Sequence, residues 1–185
     1  QARLGWQEYA LIDDSDHPAP FLLPTDLPLS HGIGAVSLSG ITALVGVRDI
    51  GRVAPTDRIL VSGAAGGVGS HVAEIAKALG AHEVVGIAGG SAKCARLRHD
   101  MAYDHVIDYK NEDVSAQIAH HCPDKWDVFF DNVGGSILEA AIDHVNLRSR
   151  IVLCGSISGY NATTPVPGPS NLSNLTINRA RMEGF

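Results

Sequence analysis

Apolar residues along this chain follow two alternating rhythms. Short β-rich runs stand at residues 58–63, 83–88, 105–109, 126–131 and 150–155, and each gap between them is long enough for a helix. The clearest helix is predicted over 67–80, where Val68, Val72, Ile75, Ala76 and Leu79 recur at helical spacing and Gly80 supplies a stop. A further helix-compatible run covers 40–51, before the turn Pro55-Thr56-Asp57. Near-continuous apolar strands alternating with amphipathic helices predict a parallel sheet covered on both faces, an α/β doubly wound fold. Residues 13–31 behave differently: Pro18, Pro20, Pro24 and Pro28 lie among acids and leucines, which blocks regular helix and suits a connection.

Composition agrees with one packed core. The 185 residues are 45% hydrophobic and 18% charged, so disorder is excluded for the chain as a whole. With 14 Lys and Arg against 20 Asp and Glu there is no basic field for nucleic acid or an anionic membrane. No apolar run approaches the about 20 residues of a membrane helix, and the opening residues lack the pattern of a signal peptide. Cys94, Cys122 and Cys154 make no C-x-x-C pair, so a reducing, cytoplasmic compartment is expected and neither a disulfide framework nor a zinc ribbon is indicated. His120 and His121 are adjacent and point apart on a helix, and no metal is expected. The sequons at Asn161, Asn171 and Asn174 are read as chance in an Asn/Ser/Thr-rich stretch. The start at Gln1 and the stop at Phe185 read as the ends of a piece of a longer protein.

Candidate chemistry gathers at the predicted strand ends. Directly after the first core strand stands Gly63-Ala64-Ala65-Gly66-Gly67-Val68-Gly69, and then the helix. Small residues there let the backbone approach a pyrophosphate, whose charge rests on unpaired amides at the helix start. Ala64 occupies the place of the fingerprint's first glycine, and an ordinary tight turn is the alternative reading. The second strand ends Ala88-Gly89-Gly90-Ser91, with no carboxylate to take ribose hydroxyls; Lys93 and Arg96 follow. That favours NADP over NAD, against the alternative that both are solvated helix charges. Asn132 before Gly134-Gly135, and Cys154 to Tyr160 after the fifth strand, face the same expected crevice.

Taken in order, these strings resemble the zinc-independent medium-chain dehydrogenase/reductases, in the subgroup of NADP-dependent alkenal double-bond reductases and leukotriene/prostaglandin reductases. The resemblance rests on residues 5–9, 40–43, 49–51, 64–69, 108–112, 130–135, 154–161 and 178–185. It implies a Rossmann-type domain over 31–185, incomplete at its C-terminal end, preceded by a remnant of a GroES-like catalytic domain and linker over 1–30. It implies NADP held by Thr42, by Gly66, Gly67 and Val68 at the pyrophosphate, by Lys93 and Tyr109 at the 2′-phosphate, and by Asn132, Cys154, Gly155, Ile157 and Tyr160 along the nicotinamide half. The implied reaction is reduction of the carbon-carbon double bond of an enone or enal, with Tyr160 as the catalytic donor to the developing oxyanion and a homodimer as the expected assembly. Leu44 and Ser39 depart from the family's usual Tyr and Pro, which bears on substrate range. A quinone reductase of the same fold and a non-catalytic NADP-binding domain are the competing readings. A methyltransferase-like domain is disfavoured, since no acid stands ready for ribose hydroxyls.

Overall fold

The computed structural model describes residues 8–9 and 23–185. The remnant and linker expected over 1–30 therefore lie largely outside the described residues, apart from residues 8–9 and 23–30.

Among the described residues, six strands form one wholly parallel sheet. They are β1 (Arg58–Ser62), β2 (Glu83–Ala88), β3 (His105–Asp108), β4 (Trp126–Asp131), β5 (Val145–Leu153) and β6 (Arg181–Gly184), in the order β3-β2-β1-β4-β5-β6. This is the strand order of a dinucleotide-binding sheet, reversing direction of build between β1 and β4. Five strands match the sequence expectation; β6, paired to β5 from Arg150↔Arg181 to Leu153↔Gly184, is additional. Among the described residues six α-helices accompany them: α1 (Leu38–Val45), α2 (Gly69–Ala78), α3 (Ser91–Asp100), α4 (Val114–His121), α5 (Gly135–Asp143) and α6 (Ser173–Ile177). The run expected as one helix over 40–51 is α1 continued by a π-helical turn, Gly46–Ile50.

Period-two alternation divides each strand between two cores. Ile59, Val61, Val84, Val106, Val128, Phe130 and Val152 pack with Ala43, Val47, Val72, Ala73 and Ala76 on one face. Leu60, Val85, Ile87, Ile107, Phe129 and Ile151 pack with Ile118, Ile137, Leu138, Ala141 and Ile142 on the other. Burial on both faces explains why the strands read as continuous apolar runs. Helix α2 stops as its sequence predicts: Gly80 takes φ +95°, and its N–H and that of Ala81 close onto Lys77 and Ala76 carbonyls.

Candidate functional site

Helices on opposite faces pull the loops after β1 and β4 apart at the point where strand order reverses. A cavity of about 770 Å³ opens there, along the carboxyl ends of the strands. Among the described residues it takes its lining from all the expected ligand positions but one: Gly66, Gly67, Val68, Lys93, Tyr109, Asn132, Cys154, Gly155, Ile157 and Tyr160. Thr42 is the exception. It lies half-buried on α1 and does not line the cavity; its neighbour on that helix, Ser39, sits against Gly67, where an added Cβ would meet the Ser39 hydroxyl at 3.2 Å.

The floor is the β1–α2 turn. Gly63 adopts φ +59°, and the Gly66 N–H closes back onto its carbonyl at 2.9 Å. Gly69 has no room for a side chain, since a Cβ would come within 2.3 Å of the Gly63 oxygen. Ala64, by contrast, is fully buried and its N–H bonds to the Ile87 carbonyl at 3.0 Å, so its methyl points into the core and costs the turn nothing. The amides of Gly67 and Val68, both at the mouth of α2, have no hydrogen-bond partner among the described residues. Unpaired amides at a helix start, reached over exposed glycines, fit a pyrophosphate.

The wall over β2 and β3 is built by one glycine and one carboxylate. The Tyr109 ring lies so close to Gly89 that a Cβ there would meet it at 2.6 Å. Asp108 accepts from the Gly90 N–H at 2.7 Å, the Asn111 side-chain amide at 2.8 Å and the Lys110 N–H at 3.1 Å. These donors, Gly90 first, hold its carboxyl below the usual carboxylate range. An acid therefore does stand near the end of β2, but its oxygens are occupied in shaping the loop. Lys93, exposed on the first turn of α3, makes no ion pair among the described residues. A ligand phosphate would find this cation available.

The far wall comes from the loops after β4 and β5. Asn132 donates its side-chain amide to the Ser62 carbonyl at 2.7 Å. Tyr160 is 66% exposed and folds back over Gly155, its hydroxyl oxygen accepting the Ser156 N–H at 3.3 Å; the phenolic hydrogen is left to donate outward. Burial, and then the nearby Asp131, raise the Cys154 thiol above its ordinary range. Val114, Ser136 and Ile137 also line the cavity and were not anticipated. All three sit in first turns of α4 and α5, so the missed signal was position: a helix start following a core strand faces the ligand edge.

Known proteins resemble this chain in sequence and in fold. Residues 67–185 match the family model described as zinc-binding dehydrogenase. The chain is 35% identical over 191 residues to the NADPH-dependent curcumin reductase of Escherichia coli, covering 98% of this chain and 53% of that protein. It is 38% identical over 185 residues to the NADP(+)-dependent 2-alkenal reductase of Nicotiana tabacum, covering 98% and 52%. The solved structure of CurA from Vibrio vulnificus in complex with NADPH superposes with a TM-score of 0.78 at 40% identity, over 84% of this chain and 47% of that one. The chain thus spans about half the length of these relatives.

Proposed function

The chain belongs to the zinc-binding dehydrogenase family of medium-chain dehydrogenase/reductases, and we propose that it is the NADP-binding part of a reductase acting on the carbon-carbon double bond of α,β-unsaturated ketones or aldehydes. One observation carries the cofactor reading: Gly67 and Val68 amides and a Lys93 ammonium, all unpaired among the described residues, border the same cavity, while the nearby Asp108 carboxylate is already satisfied. The relatives named for curcumin and 2-alkenal reduction support the substrate class.

NADPH, when bound, supplies the hydride. The residues of this chain bind and orient. Gly67 and Val68 offer N–H donors to the pyrophosphate, and Lys93 with Tyr109 holds the 2′-phosphate. An enone that accepts hydride at its β-carbon becomes an enolate, and the exposed Tyr160, whose side chain borders the cavity, is the residue we assign to donate to that oxygen. A proton then completes the α-carbon. The zinc of the family's description finds no donor set here: among the described residues no three His, Cys, Asp or Glu side chains could hold a metal together. A zinc-independent mechanism, a domain boundary near residue 30, a cytoplasmic compartment and a homodimer belong to the same proposal. The three thiols, none in a disulfide, support the compartment. None of the described helices is long and apolar enough to cross a membrane.

Titration with the two reduced cofactors tests the reading. NADPH is expected to bind roughly 5- to 30-fold tighter than NADH, the worth of one charge-assisted phosphate contact, and Lys93→Ala to remove most of that difference. Superimposable NADPH and NADH curves for the unaltered protein would contradict it. Assays with an enone and a quinone then separate the two reductase classes.

A further inference from the structure

Two strands that part at a ligand crevice lose the backbone ladder that joined them, and another set of bonds must hold the gap. The β1–β4 register ends with Val61 opposite Phe130. One residue on, the Ser62 hydroxyl donates to the Asp131 carboxylate at 2.6 Å and accepts the Asn132 N–H at 2.9 Å, while the Asn132 side chain donates to the Ser62 carbonyl. Both Ser62 and Asp131 are fully buried.

The same carboxylate organises the turn that follows. It accepts the N–H of Val133 at 3.0 Å and that of Gly134 at 3.1 Å. Gly134 and Gly135 take φ +70° and +58°, a path with no ladder of its own. From this turn the bonds continue to the loop after β5: the Asn132 carbonyl accepts the Ile157 N–H at 3.3 Å, and the Val133 carbonyl accepts the N–H and hydroxyl of Ser158 at 3.1 and 2.6 Å. A chain of hydrogen bonds thus runs from a buried Ser–Asp pair to the loop that carries Ile157 and Tyr160.

We propose that Ser62 and Asp131 are positioning residues for the nicotinamide half of the cavity, setting the gap between β1 and β4 and fixing the turn on which the 154–160 loop rests. This rests on the NADP reading above and deepens it. Lys93, Gly89 and Tyr109 are carried by α3 and by β2, β3 and their loops, with Asp108 as their own anchor. Ser62 meets β2 only through the backbone register opposite Ile87, and neither side chain of the pair bonds to Lys93, Gly89 or Tyr109, so disturbing the pair is expected to act chiefly on the nicotinamide end.

Calorimetric titration with NADP+ and with adenosine 2′,5′-bisphosphate, which has the adenosine and the 2′-phosphate but no nicotinamide, separates the halves. Ser62→Ala is expected to weaken NADP+ about tenfold, by loss of one buried hydrogen bond and its dependants, while the bisphosphate stays within about twofold. Asp131→Asn, which keeps the shape but turns an amide toward N–H donors, is expected to act in the same direction. A merely structural role would weaken both ligands alike. Equal weakening, or none, in the folded Ser62→Ala protein overturns the clamp and leaves the cofactor reading standing. Unaltered protein that binds neither ligand overturns the cofactor reading, and the clamp with it.

Discussion

At the scale of single residues, the cavity is shaped by where side chains are absent and by which polar atoms are already spent. Gly89 brings the Tyr109 ring onto the end of β2, and Asp108 spends its acceptors on Gly90 and on its own loop, so the proposed adenosine end combines an exposed Lys93 with a carboxylate that is already engaged. Cys154 lines the same cavity, and burial, with Asp131 adding to it, holds its thiol above the ordinary range. Tyr160 carries the catalytic part of the proposal. Its hydroxyl accepts from the Ser156 N–H, and an interaction that strengthens as the carbonyl becomes an enolate raises turnover instead of ground-state binding. In a form of the protein that turns over enones, Tyr160→Phe is expected to lower kcat by roughly 10- to 100-fold, with NADPH affinity little changed. Steady-state rates beside a melting curve decide it: an unchanged kcat with a lower Tm makes the residue structural.

At the scale of elements, the start of α2 is pinned from the neighbouring strand units. The Tyr103 hydroxyl, buried before β3, donates to the Gly69 carbonyl at 2.6 Å, and Gly86 in β2 leaves the space that the Tyr103 ring and the Ala64 methyl occupy. A Cβ at Gly86 would lie 2.8 Å from that ring and 3.0 Å from that methyl. Gly86→Ala therefore overpacks the junction and is expected to cost about 1–3 kcal/mol of stability, read from urea midpoints, and to weaken cofactor binding as the phosphate turn shifts. This junction also shows what a sequence can and cannot disclose. The alternation of runs announced five strands, the α2 helix and the ligand edge, because periodicity records which face each residue buries. Strand β6 was missed: within Arg181-Met182-Glu183-Gly184 one apolar residue is too few to betray a short edge strand. The Ser62–Asp131 pair was missed for a different reason. Its members are 69 positions apart, and only the neighbouring of β1 and β4 brings them together. Thr42 was assigned from resemblance alone, and the geometry puts its helix beside the turn with that side chain off the cavity.

For the whole molecule, the sheet divides labour between its ends: ligand-facing loops at the carboxyl ends, ion pairs and histidines largely elsewhere. His121 stacks on His105 with ring centroids 4.7 Å apart, and His144 shares a hydrogen bond of 2.8 Å with the Ser115 hydroxyl. Burial, ahead of neighbouring charges, lowers the pKa of both His121 and His144. A histidine whose folded pKa lies below its unfolded value of about 6.5 binds more protons when unfolded, so its contribution is present above that pH and lost as pH falls through the folded value. Tm is expected to decline from about pH 6.5 downward, with a shallower slope in the His121→Gln, His144→Gln double variant; identical slopes would assign the acid sensitivity elsewhere. Binding and turnover should also separate at this scale. The cofactor contacts proposed above all lie within residues 66–160, yet Ile157 and Tyr160 at the nicotinamide end are 62% and 66% exposed, so the described residues build a floor and sides for a substrate but no cover. Hydride transfer needs the acceptor carbon held near contact distance and orientation, and such positioning is worth roughly 7–11 kcal/mol of barrier in well-oriented systems. The 185-residue chain is therefore expected to titrate with NADP+ as a single-site binder while reducing enones at least about 100-fold more slowly than a full-length relative, because losing about half of that positioning energy already exceeds the roughly 2.7 kcal/mol of a 100-fold change. Single-turnover absorbance of bound NADPH on mixing with enone measures this directly. A rate equal to that of the full-length relative would show that these 185 residues position the substrate unaided.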